Sequence, residues 1–152
     1  MHIVLVEPEI PGNTGNIARL CAATGCELHL VKPLGFSIED KYLKRAGLDY
    51  WDLVKVHVHE NFDEVLEKYP DHTFYFNTTK ARKRHSDISY RSDDLLVFGK
   101  ETAGLPQELL QAYPDNCIRI PMIEDARSLN LSNAAAIVVY EALRQQEFPG
   151  LR

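Results

Sequence analysis

Short apolar runs at residues 2–6, 27–31, 54–58, 73–77, 94–98 and 117–120 recur along this chain, with helical or loop stretches between them. Several are rich in Val, Ile, Phe and Tyr, the residues favoured in strands buried on both faces. Between the first two runs, Ile17, Leu20, Cys21 and Thr24 fall at helical spacing, and Gly25 is placed to end that helix. Asn61 with Glu64 resembles a capping pair ahead of a helix over 62–69, which Pro70 stops. Strands alternating with helices predict an α/β fold, a mostly parallel sheet with helices on both faces.

At 152 residues the chain reads as one domain over 1–152, long enough to bury a core without metals or disulfides. Cys21, Cys26 and Cys117 show no CxxC spacing and are expected to be reduced. No apolar run reaches membrane-spanning length, and residues 1–6 read as a first strand rather than a targeting segment, so a cytoplasmic protein without a membrane role is expected. The net charge of −5 weighs against a non-specific nucleic-acid binder. Local basic patches remain, at Lys80-Ala-Arg-Lys-Arg-His85 and, more loosely, at Lys41, Lys44 and Arg45. The histidines are scattered and lack ligand spacing with carboxylates, so no metal site is expected.

Three polar patches adjoin apolar runs: Pro11-Gly-Asn-Thr-Gly-Asn-Ile-Ala-Arg19, Phe98-Gly-Lys-Glu-Thr-Ala-Gly-Leu-Pro106, and Ile118-Arg-Ile-Pro-Met122 followed by Arg127-Ser-Leu-Asn-Leu-Ser-Asn133. Each puts Gly, Pro, Asn or Ser where a strand hands over to a loop, which is where α/β proteins build ligand sites. Together they suggest a single composite pocket. In the first, a loop bearing Asn13, Thr14, Gly15 and Asn16 leads into a helix whose N-terminus favours an anion, with Arg19 one turn in. The same residues also read as a helix cap followed by a solvated arginine.

In the second patch, Gly99 at a strand end would let a ligand approach the backbone. Glu101 could pair with Arg19 or bind substrate, or it could cap the helix after Pro106. In the third, Ser132 and Asn133 are good helix-cap residues, and the loop before them could hold an adenosine through main-chain groups. A final helix over about 132–146 is apolar around nearly its whole circumference, so either its own chain or a second subunit must cover it. The residues alone lead to a loop-built pocket for a nucleotide-like ligand.

The three patches, in this order, closely resemble the signature motifs of SPOUT-class RNA methyltransferases. The likeness is strongest to the minimal, single-domain TrmL-type branch, which 2′-O-methylates the wobble nucleotide of tRNA. It extends to Val4-Leu-Val-Glu-Pro-Glu-Ile-Pro11 and Arg45-Ala-Gly-Leu-Asp-Tyr50, with Gly12 departing from a proline expected in many relatives. The resemblance implies a C-terminal trefoil knot, which ordinary topology rules would exclude. It also implies a homodimer, a tRNA anticodon loop as substrate, and S-adenosylmethionine bound in a bent shape. By matching position, the cofactor would touch Asn77, Gly99, Ile120 and Ser128, with Gly104 and Leu129 as neighbours. Arg19 would serve the reaction, within a polar shell of Asn16, Glu101, Ser132 and Asn133. Residues 80–85 could meet tRNA phosphates, or form a solvated mobile loop. The alternatives are an rRNA 2′-O-methyltransferase and a catalytically silent knotted RNA-binding protein.

Overall fold

The computed structural model describes every residue except Tyr42, Lys44, Ala46 and Gly47. Part of the loose basic group and of the stretch Arg45 to Tyr50 therefore lies outside the described residues. Among those described, a parallel sheet runs in the order β3-β2-β1-β6-β4-β7-β5. Its strands are β1 (His2–Val6), β2 (Glu27–Val31), β3 (Val56–His59), β4 (Phe74–Asn77), β5 (Lys83–Arg84), β6 (Leu95–Phe98) and β7 (Cys117–Arg119). The central pair β1 and β6 is buried along its full length, as strands covered on both faces must be.

Helices with fully described residues flank the sheet at α1 (Pro11–Thr24), α2 (Phe62–Lys68), α3 (Gln107–Ala112) and α4 (Leu131–Gln145). Alternation along β6 divides the core. Leu96 and Phe98 join Ile17, Cys21, Ala135 and Val139 on the side of α1 and α4, while Leu95 and Val97 join Val65 and Phe76 on the other. Full burial of a Leu or Phe side chain contributes about 2 kcal/mol, so the helices are held chiefly by these layers. α1 ends as expected: Gly25 takes φ 79° and its N–H bonds Cys21 O at 2.8 Å. Asn61 caps α2 by accepting from Glu64 N at 3.1 Å, and Glu64 in turn accepts from Glu60 N.

Several expectations are corrected. α1 begins at Pro11, so Asn13, Thr14, Gly15 and Asn16 lie within the helix rather than in a loop before it. Proline at the first position supplies a preset φ there. The third strand starts two residues late, at Val56. Lys83–Arg84 of the basic segment forms an edge strand rather than a loose loop, and its charges discourage further pairing. α4 starts at Leu131, and its own chain covers only one side: Ala135, Val138, Val139 and Ala142 are buried, whereas Ile137 and Tyr140 are 40% and 44% exposed. Because β7 lies beyond β4 while α4 packs back against α1 and β6, the C-terminal third recrosses the sheet. That path is consistent with a trefoil knot.

The histidines are not scattered in space. On the α2 side of the sheet, His2 Nδ1 lies 3.0 Å from His29 Nε2, and His29 Nδ1 lies 2.9 Å from His59 Nε2. His57 stacks on His29 and bonds Glu27 Oε1 at 2.9 Å. Burial, followed by the N-terminal ammonium, pulls His2 down to about 4; burial and the neighbouring His57 pull His29 to about 2. All three cysteines are free and buried.

Candidate functional site

The carboxyl ends of β1, β6 and β4 stand side by side, and the register places Asn77 level with Phe98. The segments that leave these strands and β7 surround a cavity of about 550 Å³. This is the position at which open parallel sheets bind ligands. The composite pocket expected from the three patches is therefore present.

Hydrogen bonds tie the three patches into one network. Glu101 accepts from Glu9 N at 2.8 Å, Ile10 N at 2.8 Å and Asn13 Nδ2 at 3.1 Å. It thus fixes the chain entering α1 at Glu9 and Ile10 and brings a negative charge to a helix N-terminus whose first turn holds no acidic residue. The alternative of Glu101 capping the helix after Pro106 is not realised. Glu9 returns the contact, accepting from Thr102 N at 3.0 Å and Thr102 Oγ1 at 2.7 Å. Those bonds lower its carboxyl below the usual range.

The network continues to α4. Asn13 Oδ1 accepts from Asn130 Nδ2 at 3.0 Å, and Asn130 Oδ1 accepts from Ser132 N at 2.9 Å, Ser132 Oγ at 2.6 Å and Asn133 N at 3.3 Å. Asn130, rather than Ser132 or Asn133, is therefore the cap. Asn13 is buried and uses both ends of its amide, so its orientation is fixed.

Gly99 borders the cavity and is also demanded by the packing around it. A Cβ there would lie 2.1 Å from Gly104 C and 2.2 Å from Leu105 N, so the chain's own backbone occupies the space a side chain would need. The turn 100–104 folds back through Gly104 N to Lys100 O at 2.9 Å, and Gly104 takes φ +68°.

Of the expected site residues, Asn77, Gly99, Glu101, Gly104, Ser128 and Leu129 border the cavity. Asn77 Oδ1 is buried there with no hydrogen-bond partner among the described residues, a group that a bound molecule could satisfy. Ile120 is half-buried just after β7 and does not line the cavity. Ser132 and Asn133 sit in the first turn of α4, outside the lining. Arg19 and Asn16 stand on the exposed face of α1, also outside it. Among the described residues no group of three or more His, Cys, Asp or Glu is placed to hold a metal ion, and no helix is long and apolar enough to cross a membrane.

Glu9 and Thr102 carry the network without having been singled out in the sequence, and Asn13 and Asn130 stand out there only as polar residues of their loops. One signal was available. Asn13, Ile17 and Cys21 repeat at four-residue spacing, which puts a polar amide on the inward face of α1.

Residues 1–140 match the model of the SpoU rRNA Methylase family. A protein of Methylovorus glucosotrophus (strain SIP3-4) named tRNA (cytidine(34)-2′-O)-methyltransferase is 54% identical, covering 97% of this chain and 97% of its own length. A solved structure from work on the 2-OH methylation of C/U34 on tRNA is 42% identical, with TM-score 0.93, covering 96% of this chain and 95% of that one. The SpoU methyltransferase AviRb from Streptomyces viridochromogenes, in complex with the cofactor AdoMet, is 25% identical, with TM-score 0.88, covering 97% of this chain and 60% of that one.

Proposed function

The chain belongs to the SpoU rRNA methylase family, and we propose that it is an enzyme that methylates the ribose 2′-hydroxyl of the wobble nucleotide of tRNA, cytidine or modified uridine. One observation supports this reading above the others: the Glu101–Asn13–Asn130 network closes three distant segments around one cavity, in a chain alike from end to end to a tRNA (cytidine(34)-2′-O)-methyltransferase. S-adenosylmethionine supplies a methyl group made electrophilic by a sulfonium, and the cavity suits it in size and in the unsatisfied Asn77 Oδ1. Asn77, the 99–104 turn, Ser128 and Leu129 would hold it there.

The residues of the chain then contribute by position. The transfer is an in-line displacement, so alignment of hydroxyl and methyl provides much of the rate. The Glu101–Asn13–Asn130 network fixes the cavity wall. A guanidinium is not a proton acceptor near neutral pH. Arg19 is therefore assigned to orienting the hydroxyl or its phosphate and stabilising the developing oxyanion, with Asn16 beside it.

Arg19 stands away from its own cavity, and α4 leaves Ile137 and Tyr140 exposed. A homodimer built on this apolar face could bring Arg19 of one protomer to the cavity of its partner. The working protein is accordingly read as a single-domain, knotted, cytoplasmic homodimer. An rRNA target is less well supported, because the rRNA methyltransferase from Sinorhizobium meliloti, of which this chain covers 55%, is a longer protein. A catalytically silent protein would not need the intact network. The test is to incubate the protein with labelled S-adenosylmethionine and tRNA from cells lacking its gene, then to map the label. A 2′-O-methylated wobble nucleotide is expected; label in rRNA alone would overturn the reading.

A further inference from the structure

The cations around the cavity divide into committed and uncommitted groups. Lys83 Nζ donates to Asp115 O at 2.9 Å, Arg84 is bidentate to Asp87, and Lys100 lies 3.9 Å from Glu7. Lys80 and Arg127 are different. Both are exposed, both border the cavity, and neither side chain meets an acceptor among the described residues. Lys80 comes from the segment after β4 and Arg127 from the segment between β7 and α4, two neighbouring strands of the sheet. Glu101, which borders the same cavity, is engaged by three donors, while Glu9 accepts from Thr102 and Glu7 lies beside Lys100.

We infer that Arg127 and Lys80 form a seat for the phosphate attached to the target ribose. In RNA the 3′-phosphate is separated from the 2′-oxygen only by C2′, C3′ and O3′. A ribose presented to a methyl donor in this cavity therefore brings that phosphate to the cavity rim. Two exposed cations bordering one cavity suit an anion, and the forked guanidinium of Arg127 can take two phosphate oxygens at once. Gripping the phosphate next to the reacting hydroxyl fixes the ribose rather than only the distant helix of the substrate. This assigns to Arg127 and Lys80 a positioning role distinct from general docking along residues 82–84. It rests on the proposed RNA substrate.

The same anionic chemistry could come from the carboxylate of the cofactor, and the experiment separates the two sources. Arg127→Ala, Arg127→Lys and Lys80→Ala are compared with the unaltered protein for tRNA KM and kcat, for the salt dependence of tRNA binding, and for affinity toward S-adenosylmethionine and 5′-methylthioadenosine, which lacks the carboxylate. Arg127→Ala and Lys80→Ala are expected to raise the tRNA KM about tenfold or more and to lower the salt slope by about one each, with cofactor affinity within twofold. Arg127→Lys should recover part of the loss. Weaker binding of S-adenosylmethionine but not of methylthioadenosine would assign the seat to the cofactor and overturn the inference, as would unchanged tRNA kinetics. An unaltered protein that neither binds nor methylates tRNA would refute the functional reading itself, and the inference with it.

Discussion

An alanine at position 99 would put its Cβ 2.1 Å from Gly104 C, 2.2 Å from Leu105 N and 2.5 Å from Gly104 O. Ordinary contacts to a Cβ begin near 3.4 Å, so the 104–105 backbone would have to retreat by more than 1 Å. No flexible side-chain tip is there to yield. The retreat would break the bond from Gly104 N to Lys100 O and lift Leu105 from the layer it shares with Val97 and Phe76. Overpacking of this kind costs roughly 1–3 kcal/mol, and a lost backbone hydrogen bond about 1 kcal/mol more. Gly99→Ala should therefore destabilise the protein by about 2–4 kcal/mol, a fall in Tm of roughly 5–15 °C for a chain of this size. Because the same turn forms a cavity wall, affinity for S-adenosylmethionine should fall at least tenfold even where the variant remains folded. Gly12→Ala is the control. A Cβ there meets nothing within 4 Å, and a helix position gains about 0.5–1 kcal/mol from alanine. Urea denaturation and calorimetric titration of the cofactor read both quantities. A Gly99→Ala variant within 0.5 kcal/mol of the parent that also binds cofactor normally would refute the reasoning.

Other consequences can be checked independently. Asn130→Ala removes the acceptor for Ser132 N and Asn133 N and releases Asn13, so it should cost about 1–2 kcal/mol in denaturation and weaken cofactor binding; unchanged binding would detach the network from the site. His2 and His29 are held below their ordinary value, so their contribution to stability is complete above pH 6.5 and declines as pH falls towards about 4 for His2. Between pH 7 and 5 the His2 contribution alone should fall by about 2 kcal/mol, and a flat denaturation profile over that range would contradict the buried neutral ladder. Arg19→Lys should retain measurable activity while Arg19→Ala should not; equal and total loss in two folded variants would show that charge alone does not explain this residue. Neutralising Arg82, Lys83 and Arg84 together should weaken tRNA binding and flatten its salt dependence, with cofactor affinity unchanged, whereas an unaltered slope would exclude this edge as a docking surface.

The parts of the fold legible from sequence are those fixed by local pattern. Runs such as Leu95-Leu-Val-Phe98 can hardly be other than buried strands, and Gly25 and Pro70 mark helix ends by their own backbone limits. β5 was not legible, because two charged residues at a sheet edge have no pattern of their own. The start of α1 was misplaced for a related reason. Asn13, Thr14 and Gly15 look like a loop, and the group that stabilises the turn, Glu101, lies 88 residues away from Asn13. The roles of Gly99 and Asn130 are likewise set by backbone and amide groups brought close only by the tertiary fold. The gathering of His2, His29 and His59 follows from strand order, which alternation alone does not specify. Which patches form the cavity was legible; which side chains hold it together was not.

Transfer to one ribose hydroxyl is tested by a single pair of substrates. An anticodon stem-loop with cytidine at the wobble position and its twin carrying 2′-deoxycytidine there are each incubated with the protein and labelled S-adenosylmethionine, and the products are digested and weighed. One methyl group is expected on the wobble ribose of the first RNA and none on the second. Equal labelling of both would place the methyl group elsewhere and contradict transfer to that hydroxyl.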